Sequence, residues 1–238
     1  MHIIPLFSTI VIFGFTVVVF LRYLNRKGPH LLLWSFGLLL YGLGTLSEVL
    51  LSFGFNAFLL KLWYLTGAML TAAWLGQGSV HLLVRKPRIA WILTTILGII
   101  SLIAAGLIFL APISASTATF NPALPVSTQY KEFLTRTGAI IALTIVLNIY
   151  GTVTLVGGTI YSAFLFWRKQ VMLKRVVGNL FIAIGALFPA MAGSLVKAGV
   201  VDALYISELI GAVLMFIGFI LATSTSPVTQ IQPTPTES

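Results

Sequence analysis

Four ionisable residues stand inside or at the edges of long apolar runs: Glu48, Lys61, Lys197 and Glu208. A carboxylate or ammonium in such a place is costly unless a partner, water or a ligand receives it. Helical spacing joins them to other polar side chains. Tyr41, Thr45, Glu48 and Ser52 share one side of a helix through 30–53, below Trp34 and Gly37. Lys61, Tyr64, Ala68 and Thr71 do so in 57–83, and Thr144, Asn148 and Thr152 in 137–166. Tyr205, Glu208, Ala212 and Met215 form a stripe in 203–223. The chemistry on offer is ion and hydrogen-bond recognition. These side chains predict a ligand-binding polar pocket near one mouth of a helix bundle, lined by Tyr41, Glu48, Lys61, Tyr64, Asn148 and Glu208. At least one Glu–Lys pair is expected there. The competing reading is structural: Lys61 and Lys197 reach to the headgroups and each carboxylate has one local partner.

Catalytic and metal chemistry find little to work with. The chain has no cysteine, and its three histidines, His2, His30 and His81, are scattered. No spacing of ligands suggests a metal site. Neither a Gly-rich phosphate loop nor an HExxH or GxSxG motif is present. The expectation is a protein that is not an enzyme and carries no cofactor and no metal.

The elements that must position the polar stripes follow from composition. Hydrophobic residues make up 58% of the 238, charged residues 8%, and mean hydropathy is +1.05. A soluble domain carries about 25% charged residues, so this chain lacks the polar side chains to cover a soluble surface. About 20 apolar residues cross the hydrocarbon of a bilayer. Seven segments meet that length: roughly 3–22, 30–53, 57–83, 89–111, 137–166, 176–198 and 203–223. The fold class expected is an all-α integral membrane protein, a seven-transmembrane helix bundle occupying residues 1–223. A polar tail, 224–238, reads as disordered and cytoplasmic, and the Ser-, Thr- and Pro-rich stretch 112–136 reads as the longest loop. No basic n-region precedes the first segment, so no cleavable signal is expected.

Ten of the 14 lysines and arginines fall in 22–27, 85–88 and 168–175, and four fall at the other ends of the segments. By the positive-inside rule the N-terminus is outside and the C-terminus inside. The net charge of +9 is then a topology signal and an attraction to anionic lipid, with no basic soluble face for nucleic acid. The location expected is a prokaryotic cytoplasmic (inner) membrane.

Two patterns bear on assembly. An offset of 144 residues aligns Leu60, Leu65, Gly67, Ala68 and Leu70 with Leu204, Leu209, Gly211, Ala212 and Leu214. It would make the chain a 3+1+3 parallel repeat, though Leu, Gly and Ala recur often enough here to align by composition alone. Ala186, Ala190, Ser194 and Ala198 recur every four residues, a spacing that lets another helix approach closely, and Pro189 should kink the helix that carries them. Packing within the chain is the plainer use of that face; a protein partner or homo-oligomer is the other.

Trp34 and Glu48 in the second segment, with KLWYL (61–65) opening the third, resemble the seven-helix N-terminal sensor modules of bacterial histidine kinases. The resemblance covers 31–83. It implies a receptor- or sensor-like protein that binds a small or lipophilic ligand, and, with no output domain after residue 223, one that signals through a partner. Microbial rhodopsins are excluded because 205–222 contains no lysine to hold retinal. Two further functions suit the composition: a small-solute transporter with a carboxylate coupling site, and an accessory subunit of a membrane complex.

Overall fold

The computed structural model describes residues 3–114, 117–168, 173–197 and 203–224, and within them the chain is all-helical. Two long helices open it, α1 (Ile3–Arg26) and α2 (Pro29–Leu51). Gly28 and Pro29 separate them: the proline stands at the first position of α2, where a missing N–H costs nothing. α3 (Ala57–Leu83) starts at Asn56, whose side chain accepts from the Leu59 N–H at 3.0 Å. α4 (Pro87–Leu110) again begins on a proline. A short helix, α5 (Val126–Phe133), comes after a 3-10 turn at Thr117–Thr119. α6 (Gly138–Arg168) is capped by Thr137, and α7 (Leu173–Lys197) and α8 (Ala203–Thr223) complete the chain.

Among the described residues six helices, α1 to α4, α6 and α8, are long and apolar enough to cross a membrane. The architecture is that of a multi-pass membrane protein. α2 and α3 are central, with 67% and 56% of their apolar windows buried; α4 and α6 are peripheral, at 17% and 22%. Exposed isoleucines and leucines on α4, such as Ile92, Ile99 and Leu102, are the surface that hydrocarbon would cover.

Two helices depart from the α period. α3 contains a π-helical turn at Tyr64–Leu70 and α6 one at Val153–Gly157. Each widens the helix and turns the residues beyond it relative to those before. Glycines bring other helices together. A Cβ on Gly44 of α2 would lie 2.7 Å from the Gly67 Cα in the π turn of α3. α7 and α8 meet the same way: Gly185 faces Gly211, and Gly178 faces Gly218. Small residues let the two backbones touch, which is how helices adhere without a hydrophobic driving force between them.

Two apolar cores result. One joins α3, α4, α6 and α5 through Leu60, Trp63, Ile108, Leu147 and Phe133. The other joins α1, α2, α7 and α8 through Ile12, Phe15, Leu38, Ile182 and Phe219. At the second core's edge Arg22 of α1 donates to Thr223 of α8, to its carbonyl at 2.8 Å and to its hydroxyl.

The stretch 112–136 is the longest connection between long helices, as expected, but its described residues are more ordered than their composition suggests. It is a folded cap. An isolated β-bridge pairs Ile113 with Leu134, and Phe120, Val126 and Phe133 are buried against the first core. α5 forms because Val126, Gln129 and Phe133 fall on one face and bury there, leaving Lys131 and Glu132 exposed. The tail 225–238 lies outside the described residues, as do the side chains of Ala190, Ser194, Lys197 and Ala198. Ala186 of that four-residue stripe faces inward, onto a cavity between the helices.

Candidate functional site

The cavity, of about 660 Å³, lies between α2, α3, α6 and α8, bounded on one side by α7 and at one end by α5. Its size suits a small organic molecule. α2 contributes Tyr41, Thr45 and Glu48, which are four and three residues apart and so share a face. α8 contributes Glu208 and, two turns on, Met215. From the π turn of α3 come Gly67 and Ala68, with Thr71 just beyond, and from α6 come Asn148 and Thr152. Leu75, Leu155 and Met215 form the floor; a void of about 30 Å³ lined by Phe15, Trp34 and Phe219 lies beyond the same three side chains.

Glu48 is the most confined charged group in this space, 3% exposed. The backbone N–H of Val126, the Tyr205 hydroxyl and the Trp63 indole N–H are the donors turned toward its carboxyl. Its Oε1 has no hydrogen-bond partner, and neither has Oε2 of Glu208. The two carboxyls are close enough for the charge of Glu48 to bear on Glu208. Tyr41 ties their helices together, its hydroxyl donating to the Glu208 backbone carbonyl at 3.4 Å. Buried polar atoms are ordinarily paired, and an unpaired one calls for a reason.

The other predicted residues divide. Asn148 lines the cavity and bridges two helices, its amide donating to Ala68 O and to Thr144 O, each at 2.8 Å. It thereby holds a carbonyl of the π turn. Tyr64 stands behind the wall, 2% exposed, with its hydroxyl 3.1 Å from the Thr144 hydroxyl. Its ring lies tilted against that of Tyr130, which does line the cavity. Lys61 is not at the cavity. Its Nζ donates to Phe109 O at 2.8 Å. The last carbonyls of a helix lack intrahelical donors, so a lysine caps α4 there. Among the described residues neither carboxylate is joined to a basic side chain; Lys197, the other lysine expected near them, has its side chain outside the described residues.

The basic residue that does border the cavity is Lys131, exposed on α5. Ser127, Thr128 and Tyr130 accompany it, and Ser127 Oγ is a further buried atom without a partner. Sequence reasoning misses all four because they lie in 112–136. Burial pushes the Tyr130 phenol up from its ordinary range, opposed by the Arg136 guanidinium, whose centre lies 4.9 Å from the ring. Arg136 also donates to the Tyr130 hydroxyl at 3.3 Å. Tyr130 is therefore fixed from two sides, by Arg136 and by Trp63 at 5.4 Å.

Fold and site together define a polytopic helical membrane protein with an internal cavity lined by carboxylates. Comparison with family models, curated proteins and solved structures finds none that this chain matches.

Proposed function

We propose that this chain is a receptor- or sensor-like membrane protein that takes a small ligand into the cavity between α2, α3, α6 and α8. The observation that carries the reading is the cavity itself, about 660 Å³, with one unpartnered oxygen on each of Glu48 and Glu208. A site made only for packing would have been filled or its polar atoms paired. α7, 25 residues long and packed along α8, is the seventh span in this proposal. The basic loops then lie in the cytoplasm, and α5 with the cavity mouth lies outside a prokaryotic inner membrane. The 144-residue offset carries the π turn of α3 onto 208–214 of α8, which is regular α-helix, so the repeat adds nothing to this reading.

The test is native mass spectrometry of the protein released from mild detergent, with Ala68→Phe as the comparison. Phenylalanine at this position fills the cavity from the α3 wall. Wild-type protein should retain a small molecule that Ala68→Phe lacks. Identical bound species in both proteins would reject the reading.

A transporter is the second reading, supported by the cavity floor. Three side chains, Leu75, Leu155 and Met215, separate the cavity from the apolar void beyond. A transporter would open that floor, and Leu155→Ala would raise solute leakage through proteoliposomes. A sensor would show no flux with or without the change.

A further inference from the structure

We propose that the ligand is an organic ammonium ion that bears N–H groups, a protonated primary or secondary amine with an apolar or aromatic body, held between Glu48 and Glu208. The proposal rests on the reading of the cavity as a ligand site and names the class that the site would select.

Three observations lead there. The first is the pair of orphaned acceptors. Glu48 and Glu208 line one cavity, come from two helices, and each keeps one buried carboxyl oxygen, Oε1 and Oε2 respectively, without a hydrogen-bond donor. What an unpaired carboxylate oxygen lacks is an N–H or O–H donor, and charge-assisted hydrogen bonds are the stronger kind. A protonated amine supplies several donors and a compensating charge together.

The second is the distribution of charge. The two carboxylates face one cavity, and the one basic side chain among its described lining residues is Lys131, which is exposed at the rim. Lys61, one of the two lysines expected beside the pair, is engaged with Phe109 O, and the side chain of the other, Lys197, lies outside the described residues. An anionic ligand would have to face both carboxyl groups, with Lys131 at the rim as the one basic side chain among the described lining residues.

The third is the remainder of the lining. Trp63, Tyr41 and Tyr130 present aromatic surface around the carboxylates, and Leu155, Pro189 and Met215 present apolar surface away from them. Aromatic faces attract cations and accept flat apolar groups. An inorganic cation would need several further oxygen ligands and would leave the apolar end empty.

The experiment is a tryptophan-fluorescence titration of the full chain in nanodiscs with benzylammonium, benzyltrimethylammonium and benzyl alcohol, which share one ring and differ in the polar group. Wild-type protein should bind benzylammonium at least tenfold more tightly than the other two. Glu48→Gln, and separately Glu208→Gln, should reduce that preference to less than threefold. Ala68→Phe should remove saturable binding of all three, which separates the cavity from partition into lipid. Equal affinity for benzyl alcohol and benzylammonium, abolished by Ala68→Phe, would overturn the ammonium proposal and leave the cavity reading standing. Equal affinity for benzyltrimethylammonium would overturn the requirement for N–H donors. Titrations unchanged by Ala68→Phe would overturn both readings. The comparison of the three probes on wild-type protein decides the class even where a Gln variant fails to fold.

Discussion

Gln77 and Glu48 are both covered, 0% and 3% exposed, and they are provided for in opposite ways. Gln77 sits near the turn between α3 and α4 in a closed network. Its amide donates to Ala90 O at 3.0 Å and to the Thr94 hydroxyl at 2.8 Å, and its carbonyl accepts from the Tyr150 hydroxyl. His81 completes the group through the same Thr94 oxygen, at 2.8 Å. Every polar atom of the Gln77 side chain has a partner from this chain. Glu48 has donors turned toward its carboxyl, and yet one buried oxygen has no partner, in a residue that lines a cavity of about 660 Å³. Burial alone does not separate a structural polar residue from a functional one. In the function proposed above the accounting of hydrogen bonds does: a satisfied group holds helices together, and an unsatisfied one beside a cavity is left for a ligand.

The most severe way to break this contrast is to remove both regions at once. Gly151 of α6 lies between Tyr150, which serves Gln77, and Thr152, which lines the cavity, and it packs on the Ala72 carbonyl of α3. Gly151→Val should cost about 3 kcal/mol, at the top of the overpacking range, or prevent folding. Loss of a monodisperse peak in detergent would report it. Gln77→Leu comes next. It keeps volume, removes three interhelical bonds and strands the Tyr150 hydroxyl, so it should cost about 1–2 kcal/mol in reversible unfolding while amine binding is retained. Tyr150→Phe removes one bond of the same network and should cost about 0.6 kcal/mol. Glu48→Gln should shift stability by less than about 0.5 kcal/mol, since the atom it alters has no partner to lose. A large loss of stability from Glu48→Gln would place Glu48 with Gln77 as a structural residue. Smallest of all, Lys61→Met should change stability by no more than about 0.5 kcal/mol and leave ligand affinity unaltered, because the lysine bonds one exposed carbonyl outside the cavity.

The parts legible in the sequence are those with an unbroken period. Apolar length locates the long helices, and the regular spacing of Tyr41, Thr45 and Glu48 puts three true neighbours on one face of α2. Glu208 and Asn148 are placed in the same way. The expectation fails where the period changes. A stripe that begins at Lys61 and Tyr64 and continues at 3.6 residues per turn would hold along a regular α3, but the π turn at Tyr64–Leu70 intervenes. One extra residue rotates the remainder of the helix by about 100°, so Lys61 and Tyr64 face α4 and α6 while Gly67 and Thr71 face the cavity. No composition rule announces a π turn. α5 is hidden for a different reason: eight residues among prolines, serines and threonines make too short a pattern to outweigh loop composition. The spacing of Val126, Gln129 and Phe133 after Pro125 is the signal available. The seam between α7 and α8 is also readable, in the pairs Gly178 with Gly185 and Gly211 with Gly218, each seven residues apart. The alanine stripe on the same helix is the more conspicuous pattern and masks it.

That seam has a mechanical consequence. Gly178 meets Gly218 and Gly185 meets Gly211, so two antiparallel backbones touch at points two turns apart. Two separated points of contact suppress hinging at either one, and the pair is a single stiff lever. Glu208 stands on one arm of it, about one turn beyond the Gly211 contact and on the side away from Gly218. A ligand that drew Glu208 toward Glu48 would pull on that arm, and the displacement would emerge at the other, where Arg22 of α1 holds Thr223.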